Sequence, residues 1–71
     1  MINIALFGLG RIGLMHGKNL MRNKDFNLKY VYDLNKTLTL KASKILKSTE
    51  IHNPSIAFKD KTLDAIFIAS T

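Results

Sequence analysis

An α/β fold built on a parallel sheet is predicted from three stretches of this 71-residue chain. The run Ile2 to Phe7 is apolar at nearly every position and ends directly on Gly8. Leu28 to Tyr32 is β-branched and aromatic and ends on Asp33, and Ala65 to Ala69 is wholly apolar. Strands without polar alternation are what a parallel sheet covered on both faces requires. The segments between them carry helical periodicity, so strand and helix alternate along the chain.

The turn after the first strand reads Gly8-Leu9-Gly10-Arg11-Ile12-Gly13. Its spacing is that of the dinucleotide-binding fingerprint of Rossmann-type folds. Gly8 makes the tight turn off the strand, where a positive φ is tolerated only without a Cβ. Gly10 keeps side chains away from a pyrophosphate, and Gly13 allows the helix to lie close on the sheet. The first-turn N–H groups then face the anion, and the helix dipole favours negative charge there.

The first helix is expected from Arg11 to Asn23. Gly13, Gly17 and Met21 recur every four residues and form the face toward the sheet, with Ile12 and Leu20 beside them. Gly17 costs about 1 kcal/mol of helix propensity relative to alanine, which close helix–sheet packing explains. His16 lies inside this helix, away from any proton-transfer position, and reads as structural. Asp33 falls twenty residues after Gly13, the place for an acid that accepts hydrogen bonds from the adenosine ribose hydroxyls. A carboxylate there repels a 2′-phosphate, and Leu34 and Asn35 supply no arginine to offset it, so NAD is expected rather than NADP. Lys36, just beyond, is the one cation that could partly neutralise such a phosphate.

Asn35 caps a second helix over Lys36 to Ser48. Leu38, Ala42, Ile45 and Leu46 form its apolar face, with Lys36, Lys41, Lys44 and Lys47 mainly on the other. Asn53-Pro54-Ser55 breaks the chain, Ile56 to Phe58 is read as a short third strand, and Leu63 to Ala69 as the fourth.

Composition narrows the function classes. An apolar fraction of 46% supports a globular core, although so short a chain buries only about 60% of its unfolded surface. Cysteine is absent, which excludes disulfides and thiolate metal sites and fits a reducing, cytoplasmic compartment. No apolar run approaches the roughly 20 residues of a membrane span. The net charge of +6 comes from lysines spread along the chain, nine of the eleven basic residues, rather than from a patch interleaved with aromatics. A solvated surface is therefore favoured over a nucleic-acid site.

The strand, the block Gly8-x-Gly10-Arg11-Ile12-Gly13 and the following His16, Asn19 and Leu20 resemble the N-terminus of the glucose–fructose oxidoreductase and inositol 2-dehydrogenase family. Leu63-Asp64-Ala65-Ile66-Phe67-Ile68-Ala69 resembles that family's fourth strand. Glyceraldehyde-3-phosphate dehydrogenase shares the Gly-x-Gly-Arg-Ile-Gly run but follows it with arginine and lacks the His16 and Asn19 pattern. The resemblance implies NAD-dependent oxidation of a sugar or polyol hydroxyl, with Gly8, Gly10, Arg11, Ile12, Gly13 and Asp33 as cofactor contacts. It also implies that Ala69, Ser70 and Thr71 border the ribose and nicotinamide side of the cofactor.

Two departures from that family shape the expectations. Its Glu-Lys-Pro motif, substrate domain and catalytic lysine and histidine have no counterpart here, so no catalytic residue is assigned and turnover is not expected of this chain. Only Lys59 to Leu63 remain for the crossover after Phe58, about 20 Å fully extended, where a parallel connection usually takes a dozen or more residues and a helix. The expectation is a partial Rossmann-type sheet, β-α-β-α-β-β in order 3-2-1-4, lacking its third crossover helix and truncated after strand four. The outer edge of strand four is apolar and uncharged, so self-association through it is expected. A non-enzymatic remnant or interaction module that pairs through this edge is the alternative to a cofactor-binding segment.

Overall fold

The computed structural model describes residues 1–69. It contains β1 (Ile2–Phe7), α1 (Arg11–Arg22), β2 (Phe26–Tyr32), α2 (Lys36–Leu46), β3 (Thr49–Glu50), α3 (Ser55–Lys59) and β4 (Ala65–Ile68). The four strands form one parallel sheet in the order β3-β2-β1-β4, the order expected for a Rossmann-type half.

The third strand and its crossover differ from expectation. Ile56 to Phe58 lie in a helix, not a strand, and β3 is the earlier pair Thr49–Glu50. The cause is local. The Asn53 side chain accepts the Ser55 N–H at 3.0 Å, and the Pro54 carbonyl accepts from Ala57 and Phe58, so the Asn-Pro pair starts a helix. Ala57 then buries against Ala5 and Ile51. The third crossover helix is therefore present, though short. The connection between Glu50 and Ala65 runs over residues 51–64, long enough for a parallel crossover.

Side chains divide between the two sheet faces. Ile4, Leu6, Leu28 and Val31 pack with Leu9, Ala42 and Leu46 under α1 and α2. Ala5, Ile51 and Ala57 pack with Phe7, Tyr30, Tyr32, Leu63 and Ile66 on the other face. Strand β2 changes phase midway, because Ile4 pairs with Leu28 but Ala5 with Tyr30, leaving Lys29 as an extra residue. Consecutive strand side chains normally point to opposite faces. The bulge instead lets Lys29 and Tyr30 reach the same partner, Asp60, with Lys29 Nζ at 2.5 Å and Tyr30 Oη at 2.6 Å from Oδ2. That carboxylate fastens the end of α3 to β2.

The helix faces also need correction. Gly13 and Gly17 are the buried residues of α1, and Leu14 and Leu20 pack partly against the core, whereas Ile12 and Met21 are exposed. A Cβ on Gly17 would sit 2.9 Å from Leu6 Cδ2 and closer still to Leu46, so α1 lies on the sheet and on α2 through this residue. On α2, Ile45 is exposed, and the buried face is Thr39, Ala42 and Leu46. Asn35 caps this helix as expected, accepting from the Thr37 and Leu38 N–H groups. The helix ends on Lys47 in the left-handed conformation, φ 53°.

Candidate functional site

The C-terminal ends of β1, β2 and β4 meet at the glycine turn. Gly8 has φ 98°, a conformation that residues with a Cβ rarely adopt, and its N–H donates to the Tyr32 carbonyl at 2.9 Å. A Cβ there would also strike the Ala69 carbonyl. A Cβ on Gly13 would overlap the Gly8 carbonyl and meet the Ala69 side chain. Gly13 thus sets the approach of α1 to the turn itself, while Gly17 sets its approach to the sheet.

Gly10 is different, because a Cβ built on it meets nothing within 4 Å and its φ of −68° suits any residue. Whatever keeps this position open lies outside the protein's own packing. Gly10 is also the N-cap of α1, and no side chain caps the helix, whereas Asn35 caps α2. The first helical bond runs from the Leu14 N–H to the Gly10 carbonyl at 2.8 Å. The N–H groups of Arg11, Ile12 and Gly13 therefore precede the intrahelical ladder and point out of the helix start.

Asp33, just past β2, is half-buried and tied to the turn. Its Oδ2 accepts the Leu9 N–H at 2.8 Å and its Oδ1 accepts the Asn35 N–H at 2.8 Å. Each oxygen keeps a further acceptor position. A cleft of about 280 Å³ is lined by Gly8, Gly10, Ile12, Gly13, Asp33, Leu38 and Ala69. Arg11 borders a second cleft beside it, with Lys41. The expected residues Gly8, Gly10, Ile12, Gly13, Asp33 and Ala69 are thus brought around one space, with Arg11 at its side. Ser70 and Thr71 lie outside the described residues. His16 is half-buried with its ring 4.9 Å from that of Phe67, a packing position away from the cleft lining.

An uncapped helix start and a glycine whose missing side chain leaves open space fit a dinucleotide's pyrophosphate, and the acid across the cleft fits hydroxyl donors such as those of its ribose. Among the described residues no group of His, Asp or Glu side chains could hold a metal ion, and no helix is long and apolar enough to cross a membrane. Two contributors were not foreseen. The Leu9 backbone N–H holds Asp33, and the Thr39 hydroxyl, fully buried, bonds to the Asp33 backbone. A polar residue among the apolar positions of the second helix was the available signal for Thr39.

A model of the oxidoreductase family with an NAD-binding Rossmann fold matches residues 2–71. The chain belongs to that family. No curated protein sequence matches it. Among solved structures, the chain is similar to a myo-inositol dehydrogenase from Corynebacterium glutamicum, with 30% identity and a TM-score of 0.88 over 100% of this chain and 21% of that one. It is also similar to scyllo-inositol dehydrogenase from Lactobacillus casei, whose structure holds NAD(H) and scyllo-inositol (26% identity, TM-score 0.85, 100% and 22% covered). Myo-inositol 2-dehydrogenase from Lactobacillus plantarum gives 26% identity and a TM-score of 0.84, with 99% and 21% covered. The family member spans about a fifth of the length of each of these enzymes. Its resemblance to the glucose–fructose oxidoreductase and inositol 2-dehydrogenase group and its α/β fold agree with the sequence expectation.

Proposed function

We propose that this family member is the cofactor cradle of an NAD-dependent dehydrogenase acting on a sugar or polyol hydroxyl, and that it prefers NAD to NADP. The observation that carries the reading is the Asp33 carboxylate held by the Leu9 N–H beside the cleft at Gly10. This bond fixes the acid relative to the glycine turn, so one rigid unit presents N–H donors for a pyrophosphate and an acceptor for ribose hydroxyls. The carboxylate's remaining acceptor positions suit a 2′-hydroxyl and repel a 2′-phosphate. Gly8, Gly10, Gly13 and Ala69 shape the cleft, and Arg11 and Ile12 contribute their N–H groups. NAD, when bound, accepts the hydride. The residues of this chain bind and orient it.

The polyol part of the reading is supported by the inositol dehydrogenase neighbours. The cradle itself is tested by thermal melting with each dinucleotide. NAD is expected to raise the melting temperature, and NADP to raise it less at the same concentration. Unchanged melting in millimolar NAD overturns the cradle, and equal stabilisation by NADP overturns the preference.

A further inference from the structure

We propose that Thr39 is a positioning residue for nucleotide recognition, acting through Asp33; this rests on the reading of the cleft as a dinucleotide site. Thr39 is 0% exposed and is the buried polar residue among the described core positions. It sits on α2 in line with Ala42 and Leu46, where an apolar residue would serve packing alone. Its hydroxyl instead accepts the Asp33 N–H at 3.0 Å and directs its own hydrogen toward the Asp33 carbonyl at 3.0 Å and the Asn35 carbonyl at 3.1 Å.

The need for this hydroxyl follows from the sheet. Strand β3 is two residues long and pairs no further than Glu50 opposite Val31, with one more bond from the Ile51 N–H to the Val31 carbonyl. Beyond that point the ladder gives Asp33 no strand partner, and α2 supplies one through Thr39. The Asp33 backbone is thus held from the helix, while its carboxylate is held from the glycine turn by Leu9 and from the α2 cap by Asn35. The acid that faces the cleft is held from α2 with its cap and from the glycine turn. Without the hydroxyl, the part-buried Asp33 N–H loses its partner and the carboxylate loses the fixed backbone from which it reaches Leu9.

Thr39→Val keeps the shape and removes the hydrogen bonds, and Thr39→Ser keeps the hydroxyl. Titration calorimetry with NAD and NADP on the 71-residue chain and both variants, alone and combined with Asp33→Asn, decides the matter. Thr39→Val is expected to weaken NAD about tenfold and to narrow the NAD-to-NADP ratio, with Thr39→Ser close to wild type and little further loss in the Asp33→Asn background. Unchanged NAD affinity in Thr39→Val overturns the proposal. So does an equal loss for both dinucleotides that persists in the Asp33→Asn background, which marks a purely structural residue. Should the valine variant not fold, hydrogen exchange on the wild type decides: NAD must slow exchange of the Asp33 amide, and an unaltered rate overturns the proposal. Wild-type protein that binds neither dinucleotide instead refutes the reading of the cleft, and the role of Thr39 with it.

Discussion

Gly8, Gly10 and Gly13 share a motif but answer to different neighbours. Gly8 and Gly13 are demanded by the protein itself, through a positive φ at one and the Gly8 carbonyl at the other. Gly10 is demanded by nothing in the fold. Substitution therefore separates the roles. Gly13→Ala forces its Cβ into a backbone oxygen that cannot swing aside, and a cost of about 2 kcal/mol is expected. That corresponds to a melting temperature lower by roughly 10 °C in a domain of this size, readable by circular dichroism. The glycine spacing and Asp33 were legible in the sequence because each is a local signal tied to one conformation. Thr39 was legible only as a polar residue among the apolar positions of the second helix; its partner was not, because that follows from where β3 stops.

At the scale of elements, the missed helix and the missed bulge have a common origin. Ile56-Ala57-Phe58 is too short for periodicity to separate a strand from a helical turn, and only Asn53 as a side-chain acceptor and the buried Ala57 decide it. The phase change at Lys29 is equally silent, since Lys29-Tyr30 reads as ordinary alternation until both side chains are found on Asp60. That cluster has a consequence for pH. The Lys29 ammonium, with the Thr62 and Tyr30 hydroxyls, holds the Asp60 carboxyl well below the usual carboxylate range. The same contact raises the Lys29 pKa. A carboxyl whose pKa falls on folding stabilises the protein above its unfolded value of about 4, and that contribution is lost as the pH drops toward the folded value. The Lys29 contribution is present below about pH 10.4 and lost above it. Asp60→Asn is expected to melt lower than wild type at neutral pH and to lose less on acidification from about pH 5 to about pH 2. Parallel melting curves over that interval would assign the acid sensitivity to other carboxylates.

For the molecule as a whole, the two-sided core followed from the apolar strands, and the strand order and the family followed from the Rossmann-type glycine block and the fourth strand. The two faces are not equally covered. Helices α1 and α2 lie over one, while the five residues of α3 cover the other and leave Phe58 and Ile68 at 66% and 69% exposure. Among the described residues the outer edge of β4 has no neighbouring strand, and its side chains are uncharged. A polypeptide of these 71 residues is therefore expected to self-associate at micromolar concentration through that edge. Sedimentation velocity reads the outcome, and a monomer unaffected by concentration contradicts it.

Cofactor binding is tested most directly by titrating NAD into this chain and into its Gly10→Val variant in a calorimeter. A Cβ at position 10 meets nothing within 4 Å in the protein, so the variant is expected to fold and melt close to wild type while its side chain fills the place of the pyrophosphate. Saturable binding by the wild type and none by Gly10→Val is the predicted result. Absence of binding by the wild type at millimolar NAD, or equal binding by the two proteins, would contradict the assignment of the Gly8–Gly13 turn as the cofactor cradle.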